Sequence, residues 1–198
     1  GGDRGRAQRA LAQRAPLVPP VTPDRARGAA GPPTDSRPPV LLDVMCGKLA
    51  TYLRICGYDA AYALDRGIEA DDRLRSLAAS EGRVLLTRDR ALADRAPNGD
   101  PAVDAVLLTE RDVLDQLREL DAAGFPVELA DEPARCGSCN GPVERVASPE
   151  ADGLPGDRPD YVPDDVGTDR PGWRCADCGQ WFWKGGHWED VAARLEGI

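Results

Sequence analysis

Lysine is almost missing from this chain: Lys48 and Lys184 are the only two among 25 basic residues in 198. Histidine occurs once, as His187. Aromatic residues make up 5%, and three of the four Trp fall beyond Gln180. No apolar run approaches the roughly 20 residues of a membrane-spanning helix. No G-x-G-x-x-G or Walker-type loop is present, so the common phosphate cradles are missing. G-x-S-x-G is absent too. With the single His near the C-terminus, a Ser-His-Asp or Cys-His arrangement in the body of the chain is excluded by inventory. No signal-peptide pattern opens the sequence, which begins without Met, as a trimmed start would.

What is present is acid. Net charge is −9, with 34 Asp and Glu, and Asp greatly outnumbers Glu. This Asp-rich, Lys-poor balance resembles that of proteins from salt-loving organisms. Its sign does not exclude nucleic acid. High salt weakens phosphate attraction in any case, and a bound metal can carry the contact locally.

Residues 1–39 hold seven Arg, three Asp and many Pro, Ala and Gly, with few large apolar groups. Such a segment cannot offset its ordering entropy by burial. It reads as a disordered tail, dispensable for folding, with one short helix expected over 7–15.

From Val40 the pattern changes. Three apolar residues and Asp43 form a short strand signal after a Pro-rich stretch. Gly47 is expected to break it, and a helix from Lys48 carries Leu49, Tyr52, Leu53 and Cys56 at helical spacing. Gly57 stops that helix. Further strands are expected over 60–63, 83–87 and 105–108. Helices are expected over a stretch opened by Asp71 and Asp72, over 89–96 and over 110–120. Strands alternating with helices at this spacing imply βαβ units and a parallel sheet. Residues 40–130 therefore read as one α/β domain.

Residues 131–198 read as a zinc ribbon. Cys136, Cys139, Cys175 and Cys178 form two CxxC pairs, and four thiolates make the closed tetrahedral set of structural Zn²⁺. That usage points to a reducing, cytoplasmic setting rather than to disulfides. Residues 147–171, acidic and Pro-rich, read as an irregular excursion. Trp181 and Trp183 are expected to pack in the ribbon. Cys46 and Cys56 match no ligand spacing and read as small core residues. Because all four ligands lie beyond Asp131, chelation is expected to unfold the ribbon and spare the α/β part.

The acids form a second pattern. Asp43 and Asp89 both follow apolar strands, and in a parallel sheet those ends share one rim, the edge where ligands bind in open α/β sheets. Asp71 or Asp72 opens the intervening helix and could face the same rim. For Asp43 the bland alternative is a cap on the next turn or a pair with Lys48. For Asp71 and Asp72 it is service to the helix dipole. Converging carboxylates repel, and hard cations with oxygen ligands, Mg²⁺ or Mn²⁺, relieve that repulsion. Such a set suits phosphodiester hydrolysis.

The segments LLDVMCGKLATYLRICGYD, DDRLRSLAASEGRVLLTRDRALA and CGSC…CADCGQWFWKGGHW resemble the Mut-seven C-terminal RNase domain family. The resemblance covers Val40 to about Trp188. It implies a PIN-like α/β nuclease domain with a zinc ribbon behind it, and a metal-dependent ribonuclease acting on RNA. It makes Asp43 the first-strand acid, Asp89 the acid after the third strand, and Asp71, in preference to Asp72, the helix acid. A fourth acid would be Glu110 or Asp112, with no clear match.

Lys48, Arg54 and Arg88 would steady phosphates, unless Arg88 is a structural partner of Asp89. Lys184, His187 and Trp188 beside the zinc could contact RNA. Two competing readings stand beside the nuclease. One is a non-catalytic zinc-ribbon module binding RNA or protein. The other is a toxin-like nuclease with a cognate inhibitor.

Overall fold

The computed structural model describes residues 37–146 and 158–198. The expected tail helix over 7–15, nearly all of the tail and part of the 147–171 excursion lie outside them. The first part alternates strand and helix. In order it runs β1 (Val40–Leu42), α1 (Gly47–Ile55), β2 (Ala60–Tyr62), α2 (Asp71–Glu81), β3 (Val84–Thr87), α3 (Arg90–Arg95), β4 (Ala105–Leu107) and α4 (Val113–Ala122). The four strands form one parallel sheet in the order β2-β1-β3-β4. The expected α/β architecture is present.

Side chains of successive strand residues go to opposite faces, and the core divides accordingly. Val40, Leu42 and Leu86 join Leu49 and Leu53 of α1 and Leu117 and Leu120 of α4. Leu41 and Leu85 join Leu74 of α2 and Leu92 of α3 on the other face. The strands are therefore apolar on both sides, as a parallel sheet covered twice requires.

Two boundaries differ from expectation for identifiable reasons. Gly47 does not break the chain. A 3-10 turn over Val44–Cys46 runs straight into α1, and Gly47 has right-handed helical angles. Helix α4 begins at Val113 rather than 110, because the Asp112 carboxylate accepts from Leu114 N–H at 2.9 Å and caps it there. Glu119 reaches back from α4 to accept the Thr109 N–H at 3.0 Å, tying down the end of β4.

The second part is a three-stranded antiparallel sheet, β5 (Val143–Val146), β6 (Gly172–Cys175) and β7 (Trp181–Trp183). Val146, Val162, Val166 and Trp181 form its small core, with Trp183 packed against them. A final helix, α5 (Gly186–Leu195), had no counterpart in the sequence reading. It leaves the ribbon and buries Val191 and Leu195 among the α1 and α4 residues of the larger core. Arg194 of α5 also donates to Tyr52 Oη at 3.1 Å.

The first CxxC knuckle lies along β2, an edge strand of the parallel sheet. Edge strands expose unpaired backbone groups. Here the Ala60 N–H donates to Asn140 Oδ1 at 2.9 Å, and the Ala60 carbonyl accepts from Arg54 Nε at 2.9 Å. Asn140 Nδ2 donates to Asp59 Oδ1 at 2.7 Å. Asp59 also takes Arg83 at 2.8 Å and Arg135 at 3.6 Å.

Burial works against ionisation of Asp59. The hydrogen bonds from Arg83 and Asn140, with the charges of Arg83 and Arg135, outweigh it and hold the carboxyl below its ordinary value of 3.8. A pKa depressed by folding adds stability that is present above the unfolded value and is lost as pH falls through the folded one. Asp59→Asn should therefore cost about 2 kcal/mol near neutrality, the scale of charged hydrogen bonds. The cost should shrink in acid, as pH falls through the depressed folded value. Urea melts of both proteins at neutral and acid pH check this, and an equal cost at both would count against it.

Candidate functional site

The four cysteines come together through two similar turns. Asn140 N–H donates to the Cys136 carbonyl at 2.9 Å, and Gly179 N–H to the Cys175 carbonyl at 3.0 Å. Each turn ends in a left-handed residue, Asn140 at φ 67° and Gly179 at φ 75°. Glycine takes that conformation without strain, and Asn is the usual substitute. At position 140 the amide side chain is what docks the knuckle on β2.

The four sulfurs lie within 4.8 Å of one another. Cys136 and Cys178 are 3.6 Å apart, and Cys139 and Cys175 are 3.5 Å apart. Those distances are far beyond a disulfide bond, roughly 2.05 Å. They are close to the edge of a tetrahedron with Zn–S bonds of about 2.3 Å. The donor set can thus hold one ion such as zinc.

Burial and the neighbouring sulfurs push the Cys139 thiol up to about 12, although the Gly141 amide opposes them. Burial raises Cys175 as well, but the amides of Cys178 and Asp177 and the neighbouring thiols outweigh it and bring it down. Binding of a metal ion here must expel protons from thiols that would otherwise keep them.

A second constellation lies at the carboxyl ends of β1 and β3. The register pairs Leu42 with Leu86, so the next residues, Asp43 and Thr87, are neighbours. Thr87 Oγ1 donates to Asp43 Oδ2 at 2.7 Å, and Asp89 N–H donates to Thr87 Oγ1 at 3.0 Å. One buried hydroxyl thus joins the two strand-end acids. Val44 N–H donates to Asp43 Oδ1 at 2.6 Å, which makes Asp43 the cap of the following turn as well. Asp43 is only 5% exposed, and among the described residues it has no cationic partner. Lys48, one turn on, is exposed and makes no pair with it.

Asp89 is exposed, and its Oδ1 caps α3 by accepting Leu92 N–H at 3.1 Å. Asp71 stands in the first turn of α2 and pairs with Arg95 of α3 at 2.6 Å. The Asp72 side chain is 95% exposed, at 3.5 Å from Arg75. Among the described residues the four cysteines are the group of three or more such donors within 4.8 Å of one another. The three carboxylates are not gathered that tightly. Asp71 has Arg95 as its counter-charge. Asp112 serves as a helix cap, and the Glu110 N–H is held by Glu119 at 3.3 Å.

The basic residues divide. Arg54, expected among the phosphate contacts, is buried on the inner face of α1 and makes structural contacts. Its Nη1 donates to the carbonyls of Gly137 and Ser138 at 3.1 and 2.9 Å, and its Nη2 pairs with Asp65 at 3.0 Å. Nε, both Nη1 hydrogens and one Nη2 hydrogen are thus taken, four of the five N–H donors of a guanidinium. Arg88 is half-buried beside Cys46, and no hydrogen bond or ion pair joins it to Asp89 among the described residues. Burial pushes the Cys46 thiol up to about 12, aided by Asp43 and opposed by Arg88, so it behaves as a core residue. Lys184 and His187 are exposed, and Lys184 Nζ lies 5.6 Å from the centre of the Trp188 ring.

Sequence reasoning passed over Thr87, Asn140 and Asp59. Thr87 carried a signal, a polar residue closing an apolar strand one position before a basic residue and an acid. The other two carried none.

No curated protein and no solved structure matches the chain. The family model described as Mut7-C RNAse domain matches residues 38–195. That span takes in the sheet, the acid rim and all four cysteines, and it supports a nuclease-type function. The chain belongs to the Mut7-C RNAse domain family.

Proposed function

We propose that this protein is a metal-dependent ribonuclease that hydrolyses RNA phosphodiesters at the rim of β1 and β3. The carrying observation is Asp43, a buried carboxylate held by two neutral donors with no cationic partner among the described residues. An uncompensated buried charge is costly, and a divalent cation offsets that cost.

The residues fit Mg²⁺ or Mn²⁺, which bind through one or two carboxylates and keep several waters. Asp43 and Asp89 would supply those carboxylates. The Asp71–Arg95 pair is largely exposed on both sides, and exposed pairs contribute only about 0–1 kcal/mol. Asp71 can therefore exchange Arg95 for the cation as a third acid, with Asp72 left in solvent. When bound, such a cation activates water and stabilises charge on phosphorus.

The chain's own residues do the positioning. Thr87 orients the Asp43 carboxylate and sets the Asp89 backbone. Lys48 and Arg88 flank the rim as phosphate contacts, and Lys184 and His187 offer a second contact on the ribbon. The four-cysteine site holds structural Zn²⁺, which suits a reducing compartment such as the cytoplasm. Among the described residues no helix is long and apolar enough to cross a membrane.

The test is cleavage of a mixed single-stranded RNA pool. In the zinc-loaded protein, activity should be absent without an added divalent cation and appear with Mg²⁺ or Mn²⁺ but not with further Zn²⁺. RNA binding without cleavage under all these conditions would favour the non-catalytic module.

A further inference from the structure

The Asp43 carboxylate is held by the backbone of Val44, a residue that the neighbouring strand also holds. Val44 N–H donates to Asp43 Oδ1 at 2.6 Å, and the carbonyl of the same residue accepts from Tyr62 Oη at 2.8 Å. Tyr62 ends β2, in register with Leu42, the residue before Asp43.

Gly47 makes room for this contact. A Cβ at Gly47 would meet Tyr62 Oη at 2.9 Å and Cζ at 3.0 Å. Its backbone angles, φ −60° and ψ −41°, are ordinary for any residue. Glycine inside a helix is unfavourable relative to alanine. The requirement for glycine therefore comes from the tyrosine and not from the backbone.

We propose that Tyr62 is a positioning residue for the acid rim. Its hydroxyl, acting through Val44, fixes the Asp43 carboxylate for a divalent cation, and Gly47 is the gap that admits it. This inference rests on the reading of the rim as a cation site. The two bonds sit on successive peptide units joined at the Val44 Cα, so the hydroxyl acts by fixing the position of the Val44 backbone that carries the donor. The ring packs partly against the core, a task phenylalanine would perform equally. The hydroxyl has Val44 O as its hydrogen-bond acceptor.

The test measures Mn²⁺ binding by the loss of the free-ion electron paramagnetic resonance signal. It uses the full chain, with thermal melts run in parallel. Wild type, Tyr62→Phe, Gly47→Ala and Asp43→Asn are compared well below their melting midpoints. Tyr62→Phe should weaken Mn²⁺ binding about fivefold, the equivalent of one hydrogen bond. Gly47→Ala, which crowds the same hydroxyl from the other side, should weaken it at least as much.

A role confined to packing would lower the melting midpoint and leave the affinity of the folded protein unchanged. That result overturns the inference. Loss of binding in Asp43→Asn with Tyr62→Phe and Gly47→Ala both at wild-type affinity overturns it as well, and leaves the metal site standing. Equal Mn²⁺ binding by wild type and Asp43→Asn overturns the metal site and this inference together.

Discussion

Removing metal from the four cysteines should unfold the parallel sheet along with the ribbon. The ligands all lie beyond Asp131, which by itself would confine the damage to the C-terminal part. The docking of the first knuckle changes that. Cys136 and Cys139 set the turn whose Gly137 and Ser138 carbonyls receive Arg54, and whose Asn140 receives Ala60 N–H. If the turn opens, Arg54 becomes a buried cation with several donors unmatched, and β2 recovers a bare edge. Breaking one side of a buried charged network costs about 3–5 kcal/mol. Helix α5 leaves from the far side of the ribbon and carries Val191 and Leu195 into the main core, so its anchorage weakens too.

Structural zinc supplies roughly 10–16 kcal/mol in small domains. A whole domain is stable by only about 5–15 kcal/mol. Loss of the ion should therefore exceed what the sheet can absorb. Circular dichroism during chelation should show helix loss in one cooperative step, and Cys175→Ser should shift the thermal midpoint down by at least about 10 °C. Asn140→Ala should reproduce a smaller part of the same shift with the ion still bound. A sheet that keeps its melting transition after the metal has gone would show the two parts to be energetically separate.

Asp43→Asn should lower RNA cleavage by on the order of a hundredfold or more, the scale set by losing a metal ligand. Stability should stay level or rise. The amide can still accept from Val44 N–H, and an uncompensated buried charge has been removed. Asp89→Asn should be equally inactive and equally stable, because Asn caps a helix about as well as Asp. That pair is the clean comparison, since each substitution keeps the shape of the side chain and removes its charge.

Asp72→Asn should be indistinguishable from wild type, given its exposure. Asp71→Asn separates two possibilities for the third acid. A large activity loss places it on the cation, and a small one leaves it as the partner of Arg95. Cleavage rates with Mg²⁺ or Mn²⁺ at matched salt, read beside urea melts, decide all four. Full activity in Asp43→Asn would point to a contaminating nuclease and return the protein to an RNA- or protein-binding module.

The sequence alone determined what depends on local pattern. Apolar runs at 40–42 and 84–86, helical spacing at Leu49 and Leu53, and turn glycines at 57 and 82 each encode their element within a few residues. Two CxxC pairs encode a metal knuckle because ligand spacing is itself local. Parallel strands put Asp43 and Asp89 on one rim, since every strand of such a sheet ends on the same side.

Tertiary structure decided where a side chain spends its donors and acceptors. Arg54 reads in sequence like any surface cation beside a leucine of a helix. Only the arrival of residues 137 and 138, over 80 positions away, turns it into a strut. Asp71 looks free until α3 brings Arg95 beside it. Gly47 looks like a helix breaker until Tyr62 comes across from β2 and needs the space. In each case the deciding partner is distant in the chain, and no periodicity or propensity carries that information.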